Sequence, residues 1–125
     1  MKKITFFIVA LFVAFSAIAQ TPVTVAEFNK KPVDDNVWYE LTGVISNLTN
    51  TDYGNFDLVD ETGKVYVYGL KENKDAGKKT FSNLGLEAGD KIKLHGTRGD
   101  YNGKIEVVNA YFVELVEKGE GEPEQ

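Results

Sequence analysis

Residues 55–70 read N-F-D-L-V-D-E-T-G-K-V-Y-V-Y-G-L. Phe56 and Leu58, then Val65 and Val67, fall on one side of an alternating pattern. Asp57 and Val59, then Tyr66 and Tyr68, fall on the other. A period of two with one apolar side is the signature of a strand laid on a core. The tetrad Asp60-Glu61-Thr62-Gly63 between the halves carries turn chemistry, with Gly63 as the residue suited to φ > 0 beside a bulge. The stretch is therefore a β-hairpin, and the rest of the chain can be placed around it.

On the N-terminal side, Val37 to Leu48 is expected to form a long strand. Val37, Tyr39, Leu41 and Ile45 share its inner face, and Gly43 lies among them where a small residue permits a sharp bend. Trp38, Glu40, Thr42 and Val44 point outward. Before it, Thr24-Val25-Ala26-Glu27 is a capping box, with Val23 and Phe28 at the staple positions of a short helix. Pro32 ends that helix. The segment 47–54 (N-L-T-N-T-D-Y-G) is a polar loop with one aromatic, Tyr53; its Asn47-Leu48-Thr49 matches a glycan-acceptor triplet and is read as loop.

On the C-terminal side, residues 71–79 (K-E-N-K-D-A-G-K-K) form a solvated, flexible lysine loop. Thr80-Phe81-Ser82-Asn83-Leu84 can form one helical turn stopped by Gly85. A fourth strand has Ile92 and Leu94 inward and Lys91, Lys93 and His95 outward. Asp100-Tyr101-Asn102-Gly103 is a hairpin loop. A fifth strand runs from Lys104 to Val116, and its phase shifts near Val108–Ala110, which indicates a bulge. Residues 117–125 (E-K-G-E-G-E-P-E-Q) are acidic and nearly free of apolar side chains, so a disordered tail is expected.

The first 19 residues carry a different signal. Met1-Lys2-Lys3 is a basic start, residues 4–16 are an apolar run broken by Thr5 and ending in Ser16, and Ala17-Ile18-Ala19 is a small-x-small cleavage site. This pattern predicts a cleaved signal peptide (1–19), a chain exported to the periplasm or the extracellular space, and no membrane insertion after cleavage. The apolar run is shorter than the roughly 18–20 residues a membrane span needs. The single domain is placed at 20–116. Loss of Lys2 and Lys3 leaves 12 of the 14 basic side chains against 19 acidic ones, a net charge of −7. Strong non-specific nucleic-acid binding needs a basic footprint, and this charge opposes it. The chain has no cysteine, so it carries neither disulfides nor thiol chemistry.

Five strands with a bent first strand and a helical turn between the third and fourth resemble an oligonucleotide/oligosaccharide-binding (OB) fold. L-T-G-V-I at 41–45, residues 56–67, and A-G-D-K-I-K-L-H-G at 88–96 resemble OB domains of the tRNA-anticodon-binding type. V-A-E at 25–27, the Asp34-Asp35 pair and residues 56–67 also look like the small bacterial periplasmic OB-fold family. The likeness covers residues 25–116. It implies an all-β, five-stranded Greek-key barrel with small α content. The sequence departs from nucleic-acid-binding relatives in being acidic and in having one arginine, Arg98.

In an OB-fold the usual ligand surface is the outer face of the second and third strands with the adjoining loops. That surface would present Tyr66, Tyr68, Asp57 and Val59, with Tyr53 and Tyr101 in the loops and Trp38 nearby. Tyrosines there could stack on bases or sugars, or anchor a peptide. Lys71, Lys74, Lys78, Lys79, Lys91, Lys93 and Arg98 are the candidate phosphate contacts. Gly77-Lys78-Lys79-Thr80 fails the phosphate-loop motif on spacing. His95 is the only histidine and has no metal-ligating companions in the sequence pattern. No catalytic residue set, metal site or cofactor is expected, and the chain is read as a monomeric, non-catalytic binding module. Its partner would be an envelope glycan or protein segment; single-stranded nucleic acid is the alternative.

Overall fold

The computed structural model describes residues 20–120. The expected signal peptide and the last five residues of the tail lie outside the described residues. The elements are β1 (Thr21–Pro22), α1 (Val25–Asn29), β2 (Asp34–Ser46), β3 (Phe56–Asp60), β4 (Gly63–Val67) and β5 (Leu70–Lys71). A 3₁₀ turn (Phe81–Leu84), β6 (Lys91–Tyr101) and β7 (Lys104–Glu117) follow. β2 pairs antiparallel with β3 and with β6, β3 with β4, and β6 with β7. The ring closes where β4 meets β7 in parallel, with Tyr66 opposite Glu106 and Val67 opposite Val107. The result is a closed five-strand barrel of OB-like type with two short extra strands, β1 beside β2 and β5 beside β7.

The alternation read from the sequence decides which side chains fill the barrel. Leu41 and Ile45 of β2, Phe56 and Leu58 of β3, Val65 and Val67 of β4, Ile92 and Leu94 of β6, and Val107 of β7 are all buried. Each such side chain contributes about 1.5–3 kcal/mol by leaving water. Two elements outside the ring complete this core. Helix α1 buries Val25 and Phe28, whose ring meets Tyr39 edge-on at 5.6 Å. The 3₁₀ turn buries Phe81, whose ring lies 6.1 Å from Phe56. Gly43 stands where β2 runs close against β3. A Cβ there would lie 2.8 Å from the Val59 carbonyl oxygen, so a side chain would push the two strands apart.

The helix and the hairpin are tied together by Asp60. Thr24 accepts from the Glu27 amide and Glu27 accepts from the Thr24 amide, as the capping box requires. One Asp60 oxygen accepts from the Val25 amide at 3.0 Å, and the other accepts from Thr62 and Gly63 in the turn. The Ala26 amide donates to the Thr62 hydroxyl. Burial alone would raise the Asp60 carboxyl, but these hydrogen bonds outweigh it and hold the group below its ordinary 3.8. A carboxyl lowered on folding stabilises the fold above its unfolded pKa, and that stability is lost as pH falls through the folded value. The melting temperature is therefore expected to hold from pH 7 to about 5 and to fall below about pH 4. Asp60→Asn should reduce the size of that fall. An acid limb of equal size in the variant would contradict this role.

Several expectations are corrected. The first long strand starts at Asp34 rather than Val37, and Val37 is 40% exposed. The register slips between Asp34 and Trp38, where Asp34 accepts from the Asn36 amide, and this irregularity breaks the alternation. β6 continues to Tyr101 because the hairpin needs only Asn102 and Gly103 to turn. The tail begins later than Glu117. β7 runs through Glu117, and Lys118 and Gly119 both donate to Asp90. The phase shift near residues 108–110 is a bulge: His95 faces Tyr111 and Thr97 faces Val108, so β7 carries one extra residue. Asn109 takes φ +59° there and donates to the Thr97 hydroxyl.

Candidate functional site

The loop 47–55 is built on Asn50. Its side-chain oxygen accepts from the Asp52 and Tyr53 amides, and its carbonyl accepts from the Gly54 and Asn55 amides. The loop is then fastened to its neighbours: the Leu70 amide donates to the Tyr53 carbonyl at 2.8 Å, and the Phe81 amide donates to the Asp52 carbonyl at 3.2 Å. Gly54, at φ +83°, lies directly under the Phe81 ring. Tyr53 is thus held by its backbone while its ring stays 36% exposed.

Tyr68 follows the last residue of β4. Its amide donates to the Val107 carbonyl, and its ring is 61% exposed. The chain turns at Gly69, and β5 then pairs with Ala110 and Tyr111. The lysine loop after β5 carries hydrogen bonds of its own. Thr80 closes it by accepting from the Glu72 amide and donating to the Gly77 carbonyl, and the Lys71 ammonium donates to the Lys74 carbonyl.

These pieces enclose a hollow of about 730 Å³. Tyr53, Asn50 and Asn55 line it from the first loop, Tyr68 and Lys71 from the chain around β5, and Lys78 and Lys79 from the lysine loop. Asn109 reaches it from the β7 bulge. The Lys79 ammonium sits 5.7 Å from the centre of the Tyr53 ring. The Asn55 side-chain oxygen is buried without a hydrogen-bond partner among the described residues.

The other site residues read from the sequence lie elsewhere. Tyr66 and Asp57 face each other across β3 and β4 and line a hollow of about 450 Å³ with Lys64 and Lys104. Lys104 places its ammonium 3.8 Å from the Tyr66 ring centre, so one face of that ring is already covered. Burial, and then Glu106, Tyr68 and Asp57, raise the Tyr66 phenol above its ordinary pKa. Asp57 accepts from the Asn47 amide group. Val59 and Lys91 line a groove of about 930 Å³ along the outside of β2; it is the larger space, but it includes Glu40, Asp60 and Glu61 and no aromatic ring. Tyr101 is 65% exposed at the end of β6, next to the hairpin turn.

Trp38 lies 5.8 Å from Tyr111, in a network on the β2–β6–β7 side. His95 there bridges the Tyr111 hydroxyl at 2.9 Å and Glu40 at 3.2 Å, and Lys93 pairs with Glu40 and Glu114. The Tyr111 phenol is pushed up by burial and by Asp75, so it stays protonated. Arg98 is buried, and one of its terminal nitrogens donates to the Gly99 carbonyl at 2.7 Å. Lys74 belongs to the lysine loop but does not line the hollow. The structure therefore brings together Tyr53, Tyr68, Lys71, Lys78 and Lys79. It adds Asn50, Asn55 and Asn109, which sequence reasoning did not single out. Only Asn109 left a trace there, at the break in the β7 alternation. Among the described residues no group of three or more histidines and carboxylates could hold a metal ion.

No protein-family model matches this chain, and no curated protein matches it. Solved structures do. One is the structure of the hypothetical protein ygiW from E. coli, at a TM-score of 0.50 and 16% sequence identity, covering 76% of this chain and 92% of that one. At that identity the likeness is one of fold, and it agrees with the OB-like closed barrel.

Proposed function

We propose that this chain is an exported, non-catalytic binding module that holds an envelope glycan or protein segment in the hollow between Tyr53 and Tyr68. The observation that carries the reading is the convergence of two exposed tyrosine rings on one hollow lined with three asparagines. Aromatic rings offer flat apolar area at small entropy cost, and amides read hydroxyls or peptide groups beside them. The export signal in residues 1–19 supports an envelope partner. The acid–histidine–hydroxyl chain of Glu40, His95 and Tyr111 ends in a protonated phenol, which supports a structural role for that network.

Single-stranded nucleic acid is the second reading. It is favoured by the lysines beside the tyrosines and by the likeness to tRNA-anticodon-binding OB domains. The net charge of −7 works against it.

Equilibrium binding of the chain from Gln20 onward to envelope polysaccharide fragments, envelope protein segments and a labelled oligonucleotide separates the readings. Tyr53→Ala with Tyr68→Ala should weaken binding by about 30-fold, taking about 1 kcal/mol for each ring. An affinity unchanged in the double variant, with the fold intact, would remove the hollow from the account.

A further inference from the structure

The hollow is sorted by charge in a way the rest of the molecule is not. Lys71, Lys78 and Lys79 line it, and no carboxylate does. The groove along β2 sets three carboxylates beside Lys91, and the hollow at Tyr66 includes Asp57. Glu72 and Asp75 belong to the same loop as the lysines, yet neither lines the hollow. Asp75 instead acts on Tyr111, which does not line it either. Among the described residues none of the three lysines lies within ion-pair distance of a carboxylate.

The backbone around the hollow is also held in an uncommon conformation. Lys79 takes φ +65°, in the left-handed region that costs an L residue roughly 1–2 kcal/mol, and Asn109, of a residue type that tolerates that region, takes φ +59°. Such conformations persist where the surroundings hold them, and they cluster at ligand sites. At Lys79 the result is an ammonium standing beside the Tyr53 ring.

We propose that the hollow selects a sugar bearing an isolated negative group, a carboxylate or a phosphate. The ring stacks on Tyr53 or Tyr68, and the anion meets Lys78 and Lys79. This rests on the reading of the hollow as the binding site and narrows its ligand. The anion must be sparse. The chain from Gln20 onward is acidic, with a net charge of −7 even with the three hollow lysines counted, and repulsion acts over roughly 10 Å at physiological salt. A strand with a phosphate on every residue would leave the lysines and run over that surface.

The test is titration of the chain from Gln20 onward with four probes. They are a tetrasaccharide of alternating glucuronate and N-acetylglucosamine, the neutral N-acetylglucosamine tetrasaccharide, glucose 6-phosphate and a 15-nucleotide deoxythymidine oligomer. At least one acidic sugar is expected to bind about tenfold more tightly than the neutral one, and comparison of the two acidic sugars tells carboxylate from phosphate. Lys78→Ala with Lys79→Gly should erase that difference, the acidic affinity falling to that of the neutral sugar measured on the same variant. Glycine at 79 also relieves the strained φ, so the melting temperature should stay level or rise, which separates lost contact from lost fold. Equal binding of acidic and neutral sugars, both weakened by Tyr53→Ala with Tyr68→Ala, would overturn the charge selection and keep the hollow as a site. Binding of the deoxythymidine oligomer more tightly than every sugar would overturn it in favour of a polyanion. No binding of any probe at millimolar concentration would also overturn it.

Discussion

Gly54→Ala is expected to lower the urea midpoint of unfolding by about 2 M and to abolish ligand binding in the same protein. Gly54 takes φ +83°, and a Cβ there would overlap the Phe81 ring. Phe81 cannot retreat, because it is 1% exposed and packs on Phe56. The left-handed backbone costs an alanine roughly 1–2 kcal/mol, and overpacking a core ring costs about 1–3 more. With urea slopes of about 1–3 kcal/mol per molar, the sum moves the midpoint by about 2 M. The loop 47–55 would have to lift, and Tyr53 would move with it. Gly77→Ala is the control, since a Cβ at Gly77 meets nothing within 4 Å. A Gly54→Ala midpoint within about 0.3 M of the parent, equivalent to under about 1 kcal/mol at those slopes, would show that the loop does not bear on the core.

Asp90→Ala is expected to cost about 2–4 kcal/mol, or a fall in melting temperature of about 10–20 °C. The side chain is 1% exposed and joins two segments distant in sequence. One oxygen accepts from the Glu87 amide at 2.9 Å and from the Lys118 ammonium at 3.0 Å, and the other accepts from the Gly119 amide at 2.8 Å. Its own carbonyl accepts from the Ile45 amide of β2. Burial pushes the carboxyl up, but the two amides and Lys118 overcome this and bring it below its ordinary 3.8. This carboxylate therefore stabilises the fold above about pH 4 and ceases to do so as pH falls through the lowered value. Alanine at 90 leaves two amides without an acceptor and detaches the chain beyond β7. Lys118 is half exposed, so water takes up its charge and the loss stays below that of a fully buried pair. Asp90→Asn keeps one acceptor and should lose about half as much. Equal stability of Asp90→Ala and the parent at pH 7 would contradict this.

Much of the barrel is legible in the sequence because its signals are local. The alternation in β3 and β4, the Thr24–Glu27 capping box and the break near residues 108–110 each report a few neighbouring side chains, and the structure realises all three. What escapes reading depends on distant partners. β1 and β5 are two residues long and exist only because β2 and β7 lie beside them. Val37 fits the inner phase of β2 by counting, yet the slip between Asp34 and Trp38 exposes it.

The candidate site divides along the same line. Period two pairs Tyr66 with Tyr68, but β4 ends at Val67, the chain turns at Gly69, and the two rings line different hollows. Lys104 covers one of them from a strand that lies far off in sequence. Tyr53, Lys78 and Lys79 meet Tyr68 only once the barrel has closed. No spacing along the chain records that meeting.

The most direct test is amide NMR of the labelled chain from Gln20 onward, titrated with envelope polysaccharide fragments. The largest shifts are expected in residues 50–55, 68–71, 76–79 and 108–110, and they should disappear in the Tyr53→Ala, Tyr68→Ala variant. Shifts centred on Trp38, His95 and Tyr111, or along residues 42–46 of β2, would place the ligand elsewhere and contradict the account.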